Sequence, residues 1–277
     1  MTEHGLPVLY ALFVWWFSTG LIAWLNGLDR STFRWTLLGA SIVGAAGLGA
    51  VAWAAGQDSV AGAYAAFTGA LAVWAWNETA FLLGAVTGPH RTACPPGVQG
   101  WERTGFALRA ILWHELAILA GGLLILLAGW DAPNQVAGWT YLLLWGMRIS
   151  AKLNVFLGVP NLSEAFLPGH MGYLASFFRR RPMNVLFPVS VTGATLVTWL
   201  LAQGAADPSA GPMLATGLTL LAAMAALALV EHWLMVLPLP SAALWAWYLG
   251  QRLDRPPPSP QAGPGPNLAP STPWRPS

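Results

Sequence analysis

Apolar positions come in long unbroken blocks along this chain, with neither the two-residue alternation of a strand nor the narrow stripe of a surface helix. Seven such blocks run roughly over 6–26, 35–55, 60–86, 106–128, 137–158, 185–203 and 212–238. Each is close to the twenty or so apolar residues that an α-helix needs to cross a hydrocarbon core about 30 Å thick. The breaks carry turn chemistry: Asn26-Gly27, Gly56-Gln57-Asp58, Gly88-Pro89, Ala132-Pro133-Asn134 and Asp207-Pro208. No period of repeat length recurs, which argues against a solenoid. The pattern predicts an all-α, polytopic membrane bundle of about seven transmembrane helices, with residues 1–254 forming one domain.

Two stretches outside the blocks are more than connectors. Residues 159–184 mix aromatics with a basic end, Arg179-Arg180-Arg181, and suit an interface with anionic lipid or a docked partner. Residues 241–253 are too short to span and read as an interfacial helix after Pro238 and Pro240. From 255 to 277 the chain is rich in Pro, Ser and Gly, a composition that predicts a disordered tail.

Composition strengthens the membrane assignment: 56% of residues are hydrophobic and only 9% charged, against roughly a quarter charged in soluble domains. The N-terminus, Met1-Thr2-Glu3-His4, lacks the basic start of a secretory signal, so the first block is expected to remain as a membrane helix. The single cysteine, Cys94, excludes an internal disulfide framework and reads as an incidental loop thiol. The 17 tryptophans suit membrane interfaces first and flat ligands second. Nothing resembles a phosphate-cradling glycine loop, a Ser-His-Asp arrangement or a nucleic-acid-binding surface. The glycines inside the second and fourth blocks suit close helix packing, and His4, His90 and His170 fall in predicted loops.

Charge orients the bundle. With loops counted alternately from the N-terminus, one side receives Glu3, Asp58, Asp131 and Asp207 and no lysine or arginine. All 13 basic residues fall toward the other side, which the positive-inside rule places in the cytoplasm. The N-terminus is therefore expected outside (periplasmic in a bacterium) and the C-terminus in the cytoplasm.

Four blocks are interrupted by ionisable groups: Trp76-Asn77-Glu78, Trp113-His114-Glu115, Arg148 with Lys152 and Asn154, and Val230-Glu231-His232-Trp233. At 1.5 Å rise per residue, Glu78 and His114 lie about 12 Å, Arg148 about 15 Å, and Lys152, Glu231 and His232 about 9–10 Å from the cytoplasmic helix ends. Seven ionisable groups on four helices thus occupy one layer, where exposure to lipid would be costly, so they are expected to face inward and pair.

Three readings fit these residue types. As a structural network, Glu78, Glu115 and Glu231 neutralise Arg148 and Lys152, while the histidines bond to carboxylates or backbone. As a metal site, Glu78, His114, Glu115, Glu231 and His232 would hold iron or another transition metal, serving a metal-dependent membrane enzyme. Adjacent Glu and His residues stand about 100° apart around a helix, however, and do not easily share one ion. As a tetrapyrrole site, His114 or His232 would ligate the central metal. Trp113 and Trp233, with Trp74 and Trp76, would flank the ring, and Arg148 or Lys152 would meet a propionate. Glu and His chains also suit proton or ion transport.

At these same residues the chain resembles the PuhE family, photosynthetic complex assembly proteins of purple and related phototrophic bacteria. The resemblance is carried by Trp15-Trp16-Phe17-Ser18-Thr19-Gly20, Trp76-Asn77-Glu78, Trp113-His114-Glu115, and the block from Ser150-Ala151-Lys152-Leu153-Asn154 to Val159-Pro160-Asn161. His170 with Tyr173 to Phe178, Arg181-Pro182-Met183-Asn184 and Glu231-His232-Trp233 add to it. It covers about residues 6–250 and leaves out the tail. The resemblance implies a multi-pass protein of the bacterial inner or intracytoplasmic membrane. It also implies a role in assembling the reaction centre and its core light-harvesting complex, through an influence on bacteriochlorophyll supply. The expected partners are membrane lipid and reaction-centre or light-harvesting subunits, with no nucleic acid. A non-catalytic docking scaffold built on 159–184 and the buried ion pairs is a further expectation.

Overall fold

The computed structural model describes residues 2–162 and 167–237. The expected interfacial helix at 241–253 and the tail at 255–277 lie outside the described residues, as do residues 163–166 of the 159–184 segment. The described residues form seven α-helices: α1 (Thr2–Asn26), α2 (Phe33–Ala55), α3 (Val60–Leu82), α4 (Gly100–Ala128), α5 (Val136–Leu157), α6 (Leu186–Ala205) and α7 (Pro212–Leu234). Two 3-10 stretches, Arg30–Thr32 and Gly169–Phe177, sit in the connections, and the described residues contain no strand. Five helices, α1, α2, α4, α6 and α7, are long and apolar enough to cross a membrane. The other two, α3 and α5, hold the polar groups Asn77, Glu78, Arg148 and Lys152.

Helix boundaries follow local chemistry. Ser59 caps α3 by accepting the Gly62 N–H at 3.1 Å, the expected use of a small hydroxyl at this position. At its other end α3 stops four residues short of the apolar block, because Gly84 takes φ +78°. The Gly84 N–H then bonds to the Phe81 carbonyl and the Ala85 N–H to the Ala80 carbonyl. This paired closure needs a residue without a side chain at the left-handed position.

Small residues let the bundle close. A side chain on Gly47 would lie 2.8 Å from the Gly69 carbonyl oxygen, and one on Gly69 would lie 2.7 Å from the Gly47 carbonyl oxygen. The backbones of α2 and α3 therefore touch directly, the contact that small residues permit in membrane helices. In α4, Gly121 and Gly122 make room for Tyr141 of α5; a methyl group on Gly121 would sit 2.7 Å from the Tyr141 hydroxyl. That hydroxyl donates to the Ile118 carbonyl at 2.9 Å and accepts from Asn77 Nδ2 at 3.1 Å. One phenol thus joins α3, α4 and α5. Around it Phe67, Ala70, Val73, Ile118, Leu220 and Met224 make the main core. Large apolar side chains such as Leu9, Phe13, Ile42, Leu124 and Trp199 face outward, as contact with lipid requires.

Loop contacts sort the helix ends. Asn134, before α5, donates its backbone N–H to the Ala55 carbonyl and its side-chain amide to the Gln57 carbonyl. The end of α2 and the start of α5 are therefore neighbours. At the opposite end, the Asn161 N–H bonds to the Met235 carbonyl, joining the exits of α5 and α7. His170 Nε2 donates to the Leu82 carbonyl at 3.0 Å, bringing in the exit of α3. A second apolar cluster, Phe81, Ala110, Met171, Leu174 and Phe177, lies under these connections. Of the histidines expected in loops, His4 is placed in a helix, whereas His170 stays in a connection. His4 belongs to the first turns of α1, with Nδ1 2.9 Å from Thr219 Oγ1 on α7. His170 is half-buried against the Phe33 ring.

Candidate functional site

The last three turns of α5 form a polar ladder that reaches four helices. Arg148 donates to Glu78 of α3 at 2.7 Å, and Lys152, one turn on, donates to Glu115 of α4 at 2.6 Å. Between them Ser150 bonds to His232 Nε2 of α7 at 2.9 Å, and Asn154 donates to Ser190 Oγ of α6 at 2.9 Å. The first two partners follow from opposite charge at close range. The spacing of the four residues around the helix fans them toward different neighbours.

Below this ladder, asparagines tie the basic end of the bundle. Asn154 is fully buried. Its side-chain oxygen accepts from Asn184 Nδ2 at 3.1 Å, and the same nitrogen lies 2.9 Å from the Gly158 carbonyl. The Asn184 oxygen turns the other way and accepts the Leu186 and Phe187 N–H groups at the start of α6. Asn161 reaches the Leu234 carbonyl at 3.0 Å. Arg103, which precedes the apolar block at 106–128, is a first-turn residue of α4 and only 5% exposed. It donates to the Phe177 carbonyl and lies 4.0 Å over the Phe156 ring. The 150–161 and 181–184 sequences thus close the exits of α5 and α7 and the start of α6 into one knot. The signal for Asn161 and Asn184 was their presence in those two sequences; Arg103 and Tyr141 had none.

The two histidines differ. His232 is saturated: Nδ1 donates to the Ala228 carbonyl at 2.8 Å, which leaves Nε2 to accept from Ser150. His114 is 0% exposed, stacks on Phe81 with ring centroids 4.2 Å apart, and has no hydrogen-bond partner on either ring nitrogen. Its backbone N–H donates to the Thr87 carbonyl, where the α3–α4 loop crosses α4 so closely that only Gly88 fits. A methyl group there would lie 2.0 Å from the Arg109 carbonyl oxygen.

The remaining expected site residues do not converge on these imidazoles. Glu231 keeps an accessible edge, accepts from Trp15 Nε1 of α1 at 2.9 Å, and lies within electrostatic reach of Arg148 and Glu78. Adjacent helix positions cannot both face the core, and His232 takes the inward one. Trp113 and Trp233 are 49% and 43% exposed, again because their inward neighbours are the histidines. Trp76 donates to Ser41 of α2, and Trp74 packs edge-on against Tyr141. Phe81 lies over His114, and carboxylates engage Arg148 and Lys152. Among the described residues no three His, Cys, Asp or Glu side chains converge as a metal site requires. The helices meet through hydrogen-bonded pairs on α5, whose charges also act on one another across the layer.

Similarity to known proteins adds a separate line. A protein from Rhodobacter capsulatus, described as an uncharacterized 30.4 kDa protein in the puhA 5′ region, is 42% identical over 255 residues. The match covers 90% of this chain and 92% of that protein. No solved structure matches. The model of DUF3623, a family described as a protein of unknown function, matches residues 1–255, and the chain belongs to that family.

Proposed function

We propose that this chain is an integral membrane assembly factor for the photosynthetic reaction centre and its core light-harvesting complex, acting without enzymatic turnover. The reading takes all seven helices as spans of one domain in the bacterial inner or intracytoplasmic membrane, with the N-terminus periplasmic. The observation that carries it is the near full-length likeness to a protein from the puhA 5′ region of a phototroph. The resemblance to the PuhE family points the same way. The geometry supports a scaffold: each carboxylate of the polar layer is joined to a cation or an indole, an arrangement that fixes helix packing. The test is deletion of the gene in its phototrophic host, with core-complex absorbance per cell as the readout. Complex yield is expected to fall and to return with the wild-type chain; unchanged yield would sink the proposal.

A second reading, transient handling of bacteriochlorophyll or a related tetrapyrrole, is favoured by one observation. Both ring nitrogens of His114 are buried without a partner, and such groups in a native interior call for an explanation. This reading now rests on His114, since His232 is saturated. An absorption spectrum of gently solubilised protein decides it. A chlorin band lost in His114→Ala supports pigment handling, and the absence of any band leaves the scaffold reading alone.

A further inference from the structure

A hollow of about 300 Å³ opens at the basic end of the bundle, apart from the α5 ladder. The 3-10 turn before α2, the exit of α3 and the Gly169–Phe177 stretch line it. Its size falls at the lower end of the roughly 300–1,000 Å³ of small-ligand sites. Arg30 and Arg91 lie on its wall, and both are exposed. Thr87 is 2% exposed, and its hydroxyl is buried. The Tyr173 hydroxyl is likewise buried, with the Thr87 hydroxyl as its neighbour. Among the described residues no acidic side chain lines the hollow, and the nearby Asp29 carboxylate accepts the Ser31 N–H.

These features select the ligand's chemistry. Two guanidinium groups draw an anion, and arginine suits phosphate through its forked donors. Two buried hydroxyls, Thr87 and Tyr173, face each other and have no other hydrogen-bond partner among the described residues, so each can turn a donor toward a ligand. Burial raises the Tyr173 phenol above its usual value, while the Thr87 hydroxyl and the Arg91 charge oppose the shift. The phenol therefore keeps its proton at neutral pH and donates. His170 helps shape the wall: its Nε2 is held by the Leu82 carbonyl, and its ring lies 3.3 Å from where a side chain on Gly84 would begin. We infer that this hollow binds a phosphate-bearing anion, with Arg30 and Arg91 supplying charge and Thr87 and Tyr173 supplying neutral donors. A phospholipid headgroup and a soluble phosphate compound share this chemistry, and the basic end of a membrane helix bundle meets both.

The test uses the full chain in neutral detergent, with thermal unfolding followed at constant ionic strength. Short-chain phosphatidylglycerol and inorganic phosphate are titrated separately, with chloride as the control. A saturable rise in Tm is expected with one of the two. Its midpoint should move about tenfold or more in Arg30→Gln/Arg91→Gln and in Tyr173→Phe, which removes a single hydroxyl. Arg34→Gln, on the same end but outside the hollow, should keep the wild-type midpoint. A response to phosphatidylglycerol alone assigns a lipid headgroup; a response to inorganic phosphate assigns a soluble compound. No saturable response, an equal response to chloride, or wild-type midpoints in both hollow variants would overturn the inference.

Discussion

Single atoms decide several features of this molecule. Gly88 lies where the α3–α4 loop crosses α4, and a methyl group there would meet the Arg109 carbonyl oxygen at 2.0 Å. Gly88→Ala should therefore dislodge the loop and lower the unfolding temperature in detergent. Gly49→Ala on α2, with open space around it, should leave it unchanged or raise it, since helix propensity adds up to about 1 kcal/mol of stability. Equal effects from the two would show that the crossing is not close. The Glu78–Arg148 pair offers a second test. Glu78→Gln strands a guanidinium and should cost about 1–3 kcal/mol. Adding Arg148→Met should recover part of that loss, because replacing both members removes the need for pairing. A double variant less stable than Glu78→Gln would contradict the pairing.

Among elements, α5 is the one that addresses all its neighbours, and Asn184 locks the far side of that network. Its oxygen caps α6 while its nitrogen holds Asn154 and Gly158. Asn184→Asp keeps the cap and loses the donors. It should nevertheless destabilise the bundle by about 1–3 kcal/mol, since it sets a carboxylate against buried acceptors. An unfolding temperature equal to wild type would show that capping is the residue's whole role. Much of the element plan was legible in the sequence. The helices lie over the seven apolar blocks to within a few residues, because the length of a block follows from its solvent. Height along each helix was legible too, since rise per residue is fixed, and Glu78, Arg148, Glu115 and Lys152 do meet. The facing of each residue was not. His114 next to Glu115, and His232 next to Glu231, are adjacent pairs, and only packing decides which member turns inward. The outward placement of Glu231, Trp113 and Trp233 therefore had no local signal, nor had the burial of Arg103.

For the whole molecule, the proposed orientation makes a prediction independent of ligand or partner. In a Cys94→Ser background, a cysteine at Ser209 in the α6–α7 turn should react with a membrane-impermeant maleimide on intact spheroplasts. A cysteine at Arg180 should react only in inverted vesicles. The reverse pattern would invert the bundle, and labelling of both from one side would rule out seven alternating spans.

The α5 ladder bears on how such a chain enters a bilayer at all. α5 brings Arg148 and Lys152, and it falls outside the set of helices apolar enough to cross unaided. The residues that neutralise it, Glu78 and Glu115, sit on α3 and α4 and so leave the ribosome first. In the proposed seven-span arrangement, the translocon would release the cation-bearing segment into a membrane that its counter-charges on α3 and α4 had already entered. In that arrangement the order of synthesis, as much as the final fold, would make α5 insertable. A rearranged gene that translates α5 ahead of α3 and α4 should stall at that helix.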